Sequence, residues 1–344
     1  MDSVENTGST SLTLVTACRW LPVVVVREWY EASRISRSYN ELVNTTIALN
    51  PLTIATWNLL GDQFERASRL NLAASQIGDI DILAIQEAVK ISGTSASTAV
   101  QLASLSDMRV ASLVDSGMAN TISGDEQATG ILTRLEVVEA NIEIAVPSLD
   151  SKNQVGEHGK YAGALLRTKT GRHVFAVSVH FPWGGESEYR RLVHAEAVND
   201  TITALLKHFP EDTITVLLGD FNTTQSADSL RYLRGDSGAP HHSSFWVDAW
   251  SEVGSGPGFT NDPKSGNTNL VRTATSNGIP IPAMLPSRRI DYVLIRGWVF
   301  GKPGSPLSAT LFGLETDMNG LHASDHYGVK VTLWDPPLGF PSQG

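Results

Sequence analysis

The chain has 344 residues, of which 41% are hydrophobic and 18% are charged, and this composition is ordinary for a soluble globular protein. The net charge of −10 argues against a broad basic face that binds nucleic acid non-specifically, although a bound cation could supply local positive charge to an acidic site. The single cysteine excludes an internal disulfide and leaves the cellular compartment undetermined.

The first 50 residues differ in pattern from the rest of the chain. Their strongest apolar run, 21–26, is flanked by Arg19 and Arg27 and is far shorter than the roughly 20 apolar residues that span a bilayer. We therefore predict that residues 1–50 are a variable or poorly ordered N-terminal extension, without a signal peptide or transmembrane segment. We expect a soluble monomer, with the cytoplasm slightly favoured over secretion.

From Leu52 onward, short apolar runs alternate with turns and amphipathic stretches. The patterns predict strands over 53–58, 81–86, 130–133, 137–144, 163–167, 174–180, 213–218, 290–295 and 329–334, and helices over 68–77 and 188–209. Segments rich in Gly, Ser, Asn or Pro are predicted to be loops, over 91–107, 114–128, 147–160, 235–244 and 254–288.

The predicted strands both alternate with helices and occur in adjacent pairs, which fits mixed sheets better than an all-parallel sheet. Two such sheets packed face to face, with helices outside, predict an α/β (α+β) fold. One domain of this kind would cover residues 51–335 and leave 336–344 as a C-terminal tail.

Polar side chains stand at the ends of several of these strands. Glu87 follows a buried run, so its carboxylate is expected at a sheet edge, where a hard cation such as Mg²⁺ could bind. Asp220 and Asn222 follow another strand with an i, i+2 spacing that places both on one face. Asp220 could orient or deprotonate a water and Asn222 could donate to a phosphoryl oxygen, although an Asx-turn that closes the strand is the alternative.

Two histidines complete the set. Asp291 could fix the tautomer of His326, as carboxylates do for catalytic histidines generally. Asp325 would point elsewhere and could complete a metal site through water. His180 ends a strand, where a structural role is the alternative to catalysis on the opposite side of the phosphorus. Asn58 ends the first strand of the domain, and its amide could bridge Asp220 and a phosphate.

These residues, in this order, resemble the endonuclease/exonuclease/phosphatase superfamily, which includes deoxyribonucleases, deadenylases, sphingomyelinases and apurinic endonucleases. The resemblance runs from about Leu52 to Trp334 and rests on the motifs Thr56-Trp57-Asn58, Gln86-Glu87, Gly219-Asp220-Phe221-Asn222, Arg289-Ile290-Asp291-Tyr292-Val293 and Ser324-Asp325-His326. It implies a four-layered α/β/β/α sandwich with the site at one edge. His180 falls where apurinic endonucleases carry tyrosine, which argues against abasic-site repair.

The resemblance implies a metal-dependent phosphoester hydrolase. The candidate metal ligands are Glu87, Asp220 and Asp325, with Mg²⁺ as the expected cation and Mn²⁺ as a substitute. Three functions are open: a nuclease, a lipid or small-molecule phosphodiesterase or phosphatase of the sphingomyelinase or inositol-phosphate kind, and an inactive binding module. A nuclease is favoured because nucleases are common in the superfamily, so nucleic acid is preferred to lipid as the phosphodiester substrate.

Overall fold

The computed structural model describes residues 51–89, 97–119, 126–147, 159–237 and 244–339. The extension predicted for residues 1–50 lies outside these ranges, as do residues 340–344 of the predicted tail. The described residues form two mixed sheets flanked by helices, which confirms the predicted four-layered sandwich.

The first sheet has the strand order β11-β12-β1-β2-β4-β3, in which only β1 and β2 pair in parallel. Its strands are β1 Leu52–Asn58, β2 Ile82–Val89, β3 Arg109–Ala119, β4 Glu126–Thr133, β11 Pro306–Phe312 and β12 Gly328–Leu333. Most of the chain separates β1 from β12, yet the two are neighbours, so the beginning and end of the domain meet in one sheet.

The second sheet has the order β5-β6-β7-β8-β10-β9, in which only β7 and β8 are parallel. Its strands are β5 Glu136–Val146, β6 Gly159–Arg167, β7 His173–His180, β8 Ile214–Asp220, β9 Trp246–Asp248 and β10 Asp291–Arg296. Because both sheets contain a parallel pair and several antiparallel pairs, both are mixed, as predicted.

The helices are α1 Arg66–Ile77, α2 Thr98–Leu105, α3 Glu188–Leu205, α4 Asp228–Arg234, α5 Ala249–Val253 and α6 Thr268–Ser276, with 3-10 turns over Leu206–His208 and Pro282–Met284. Within the described ranges, no helix is both long enough and apolar enough to cross a bilayer.

Some segments predicted to be loops have regular structure. Helix α2 lies in the predicted loop 91–107, helix α6 lies in 254–288, and parts of β3 and β4 lie in 114–128. Ser97 and Asn267 cap the two helices by accepting from backbone N–H groups of the first turn. These caps allow helices to begin in segments of polar, loop-like composition.

Three apolar clusters hold the four layers together. One lies between the sheets, one packs α1 and α2 onto the first sheet, and one packs α3 onto the second. Burial of each aliphatic side chain in such a cluster contributes roughly 1.5–3 kcal/mol. The two sheets therefore present their inner faces, the faces that oppose one another, at a fixed separation.

The residues on the inner faces change in character along the strands. At one end they are aliphatic, such as Ile54 and Val216. Next comes a buried polar layer, in which Thr56 Oγ1 donates to Gln86 Oε1 at 3.2 Å and Gln86 Nε2 donates to Ser178 Oγ at 3.0 Å, across the two sheets. Because side chains alternate along a strand, the next inner positions fall at the strand ends, where the candidate site residues lie.

Gly219 permits a close approach of β7 and β8 just below these residues. A methyl group at Gly219 would lie 2.0 Å from the carbonyl oxygen of Val179, so the two strands must move apart to accept it. We expect Gly219→Ala to lower the free energy of unfolding by about 1–3 kcal/mol, the range for overpacked positions, in urea denaturation. Gly185→Ala is the control, because its methyl group would meet no atom within 4 Å. Equal stability of the two variants would contradict this account.

Candidate active site

Three neighbouring strands of the second sheet carry one candidate residue each, in a single row. His180 ends β7, Asp220 ends β8 and Asp291 begins β10. In the strand register, His180 lies opposite Asp220, and Asp220 lies opposite Asp291. Side chains in one row leave the sheet on the same face. The row therefore directs an imidazole and two carboxylates toward the first sheet.

Glu87 reaches the same space through a β-bulge in β2. Ile85 lies opposite Gly130 and Ala88 lies opposite Ala128, so two residues of β2 face one residue of β4. Glu87 has a φ of 54° in this bulge. The sequence predicted a strand that ends before Glu87, but β2 continues past it. A bulge, which re-aims side chains beside functional sites, turns the carboxylate inward.

The side-chain amide of Asn58 connects the two sheets. Its Nδ2 atom donates to Glu87 Oε1 at 3.0 Å and to Asp220 Oδ2 at 3.1 Å. Its Oδ1 atom accepts from the backbone N–H of Leu60 at 3.0 Å, which fixes the orientation of the amide. The predicted bond to Asp220 is present, but Glu87 takes the amide hydrogen that we expected a phosphate to accept.

His326 lies in the turn before β12 and is fixed by both its backbone and its ring. Its carbonyl accepts from Trp57 Nε1 at 2.9 Å, and its N–H donates to Ser324 Oγ at 3.2 Å. The Ser324 hydroxyl donates to the carbonyl of Asn58 at 2.6 Å. On the ring, Nδ1 lies 2.9 Å from Asp291 Oδ2, as predicted. Because Nδ1 is used in this bond, Nε2 is the ring nitrogen that could contact a substrate.

Neighbouring carboxylates determine the charge of His326. Burial alone would lower the pKa of His326, but the carboxylates of Asp291, Asp220 and Asp325 together raise it well above its usual value. Asp291 Oδ1 is buried without a hydrogen-bond partner among the described residues, while Oδ2 is hydrogen-bonded to His326. Burial also raises the pKa of Asp291, and the charge of His326 opposes this rise, so each partner favours the charged form of the other.

His180 faces the two carboxylates that Asn58 connects. Its Nε2 atom lies 3.7 Å from Asp220 Oδ2 and 4.0 Å from Glu87 Oε1, distances too long for hydrogen bonds. Its carbonyl accepts from the hydroxyl of Tyr161 at 2.9 Å. The sequence did not identify Tyr161, because a tyrosine within an apolar strand has no feature that separates it from a core residue.

Asn222 closes the strand that carries Asp220. Its backbone N–H donates to Asp220 Oδ1 at 2.8 Å, which is the Asx-turn considered as the alternative in the sequence. Its side-chain Nδ2 donates to the carbonyl of Phe181 at 3.0 Å. One of its two amide hydrogens is therefore used within the protein, and the other is left for a ligand.

The residues present fit a divalent cation. Glu87 and Asp220 both accept from Asn58 Nδ2, and Asp325 lies near enough to Glu87 to act on its charge. In the described part of the chain, no lysine or arginine forms an ion pair with any of the three. Burial raises the pKa of Glu87, the charge of His180 opposes this rise, and the carboxylate of Asp325 adds to it. Oxygen ligands with an excess of negative charge are those that Mg²⁺ and Mn²⁺ prefer.

A second group of possible ligands overlaps the first. Atoms of Asp220, Asp291 and His326 lie within 4.8 Å of one another. In this group, however, His326 Nδ1 and Asp291 Oδ2 are already hydrogen-bonded to each other. This bond leaves fewer free ligand atoms in the second group, and the set of Glu87, Asp220 and Asp325 stays the predicted one.

The sandwich with this polar cluster between its sheets is a phosphoesterase fold. The chain belongs to the Endonuclease/Exonuclease/phosphatase family, whose sequence profile matches residues 55–326. The resemblance seen in the sequence is thus confirmed. No curated protein matches the chain in sequence.

Several solved structures share the fold at low sequence identity. D. rerio TDP2, in a complex with single strand DNA product, is 20% identical with a TM-score of 0.58, covering 82% of this chain and 98% of that one. Truncated Caenorhabditis elegans TDP2 is 17% identical with a TM-score of 0.56, covering 83% and 98%. The human nocturnin catalytic domain is 13% identical with a TM-score of 0.53, covering 82% and 94%. Identities this low show the fold alone.

Asp291→Asn tests the charge relation between Asp291 and His326. The substitution keeps the size of the side chain but removes one of the three charges that raise the pKa of His326, so this pKa should fall. We expect kcat for phosphodiester hydrolysis to fall by about 100-fold or more, and the alkaline limb of its pH profile to move to lower pH. Asp236→Asn, at an exposed aspartate that pairs with Arg234, is the control. An unmoved alkaline limb would show that Asp291 does not set the charge of His326.

Proposed function

We propose that the protein is a divalent-metal-dependent phosphodiesterase that cleaves nucleic acid, with Mg²⁺ as its cation and Mn²⁺ as a substitute. The observation that carries this proposal is the Asn58 amide between Glu87 and Asp220, beside the His326–Asp291 pair. With a cation bound, this cluster would place two positive charges, the cation and a protonated imidazole, where a phosphoryl transition state develops negative charge.

The roles of the side chains follow from their bonds. Asp220 Oδ2 lies beside His180, so Asp220 would orient the attacking water and accept its proton. The Nε2 atom of His326 would donate to a phosphoryl oxygen, since Nδ1 is bonded to Asp291. His180 would act on the opposite side of the phosphorus from His326. Asn222 would contribute its remaining amide hydrogen.

Glu87 and Asp325 would hold the cation, which when bound supplies Lewis-acid stabilisation of the developing charge. Asn58 has no amide hydrogen left for the substrate, since Glu87 and Asp220 accept both. Its role is therefore to keep the proposed cation ligand Glu87 and the proposed base Asp220 at a fixed separation.

Trp183 favours nucleic acid over the other phosphodiesters. It lies three residues after His180, and its side chain is 66% exposed. Its loop is fixed by the buried Arg191, whose Nη1 donates to the carbonyls of Pro182 at 2.9 Å and Gly184 at 2.8 Å. A fixed, exposed indole offers a surface on which an unpaired base can stack. The complex of D. rerio TDP2 with single strand DNA product is consistent with such a substrate.

A substrate panel tests the proposal. Single-stranded DNA, single-stranded RNA, plasmid DNA, sphingomyelin and inositol phosphates would each be incubated with the protein and Mg²⁺, and hydrolysis measured. We expect cleavage of the nucleic acids and none of the other substrates. Hydrolysis of sphingomyelin or inositol phosphates alone would replace the nuclease by a lipid or small-molecule phosphodiesterase.

We expect hydrolysis to depend on a divalent cation that Glu87 binds. A chelator should abolish hydrolysis, and Mg²⁺ or Mn²⁺ should restore it. Glu87→Gln keeps the oxygen that accepts from Asn58 but removes the negative charge. We expect it to lower kcat by about 100-fold or more, because a cation supplies several kcal/mol of transition-state stabilisation.

The exposed Glu252, on α5, provides the control as Glu252→Gln. Both variants should unfold at the same temperature as the unaltered protein in the presence of chelator. Full activity of the unaltered protein in excess chelator would exclude the metal from the reaction.

Trp183→Ala should weaken the binding of single-stranded DNA without changing the chemical step. Loss of one base–aromatic stack costs about 1–3 kcal/mol, so KM should rise by about 5- to 150-fold at constant kcat. Hydrolysis of bis(p-nitrophenyl) phosphate, which has no base to stack, should be unchanged. Trp298→Ala is the matched control, since Trp298 is 65% exposed but follows the far end of β10. An equal effect on both substrates would show that Trp183 shapes the site rather than binding a base.

A further inference from the structure

Arg69 is a buried cation outside the cluster described above. It lies on α1, and only 1% of its surface is exposed. In the described ranges it forms no ion pair with a carboxylate. Its guanidinium instead donates to six main-chain carbonyls, those of Leu59, Leu60, Gly61, Gln63, Phe64 and Ala323. A buried arginine costs free energy unless its donors are satisfied, and here the backbone satisfies them.

Five of the six carbonyls belong to the segment that follows Asn58. Within this segment Leu60, Phe64 and Glu65 have positive φ values of 59°, 37° and 38°. Such conformations are costly for residues other than glycine and persist only where surrounding contacts impose them. The bonds from Arg69 are such contacts, because they hold five carbonyls of the segment around one guanidinium.

The segment determines where the Asn58 amide points. Leu60 N–H donates to Asn58 Oδ1, so a change at Leu60 would rotate the amide that joins Glu87 to Asp220. Arg69 Nη1 donates to the carbonyl of Leu59 at 2.7 Å. Leu59 lies between Asn58 and Leu60 in the chain, so this bond holds the backbone directly beside both residues.

The sixth carbonyl belongs to the other half of the site. Arg69 Nη1 also donates to the carbonyl of Ala323 at 3.0 Å, directly before Ser324-Asp325-His326. Ser324 in turn donates to the carbonyl of Asn58. One guanidinium thus connects the turn that carries Asp325 and His326 to the segment that orients Asn58.

We infer that Arg69 is a positioning residue of the phosphodiesterase site, acting through Asn58 on one side and through the Asp325–His326 turn on the other. This inference rests on the proposed function. The charge of Arg69 is retained at neutral pH, since burial lowers its pKa only to about 10 and the carboxylates of Asp325 and Glu87 oppose this lowering.

The test compares Arg69→Met and Arg69→Lys with Arg272→Met. Arg272 is a half-buried arginine that contacts the same segment from outside, through a 2.7 Å ion pair with Glu65. We expect Arg69→Met to lower kcat on single-stranded DNA with Mg²⁺ by about 100-fold, the effect of a small misplacement of catalytic groups, with little change in KM. Arg69→Lys should fall between, because an ammonium group has fewer donors. Arg272→Met should retain full activity.

A double variant separates positioning from general stability. If Arg69 acts through Asn58, then Asn58→Ala combined with Arg69→Met should fall by much less than the product of the two separate losses. Losses that multiply would show that Arg69 supports the fold independently of Asn58. The unfolding temperature of each variant would be measured by circular dichroism, and all activities would be measured below it.

The outcomes distinguish this inference from the proposed function. An unaltered protein that hydrolyses no phosphodiester with Mg²⁺ or Mn²⁺ would overturn both. An active protein whose Arg69→Met variant keeps its kcat would overturn the inference alone. Failure of both Arg69 variants to fold would assign Arg69 to stability and would also overturn the inference.

Discussion

The amide of Asn58 is the interaction on which the proposed site depends. It donates to one carboxylate from each sheet, Glu87 and Asp220, and thereby fixes the distance between the two halves of the sandwich at this edge. Two like charges held this close would repel, and the shared amide together with the nearby imidazoles offsets that repulsion. Below it, the bond between Gln86 and Ser178 holds the same two sheets at the preceding inner positions.

The strand pattern made much of this arrangement predictable. Alternation along a strand places Asn58, His180 and Asp220 on the faces that also carry aliphatic side chains four residues earlier. The sequence therefore predicted that these polar groups end buried strands and meet at one edge. The pairing of Asp291 with His326 was also predicted, because an aspartate bonded to one ring nitrogen is what fixes the tautomer of catalytic histidines in general.

Other features depend on contacts that a linear pattern does not contain. The bulge that turns Glu87 inward arises from its pairing with β4, and strand periodicity alone predicts an ordinary strand end. Arg69 lies in an amphipathic helix, where an arginine is usually exposed to solvent. Its burial depends on the backbone carbonyls that surround it in the fold, and the sequence pattern does not indicate them. The caps Ser97 and Asn267 were present in the sequence, but the loop-like composition of their segments obscured them.

The position of β12 affects how the protein can fold during synthesis. This strand is synthesised after the other strands of both sheets, yet it pairs between β1 and β11. Until it arrives, β1 has an open edge with unpaired backbone groups, which other chains could join. The turn before β12 also brings in His326, whose contact with Trp57 spans 269 residues. A partly synthesised chain without β12 therefore lacks both a complete first sheet and a complete site. The last step of folding is also the step that assembles the site.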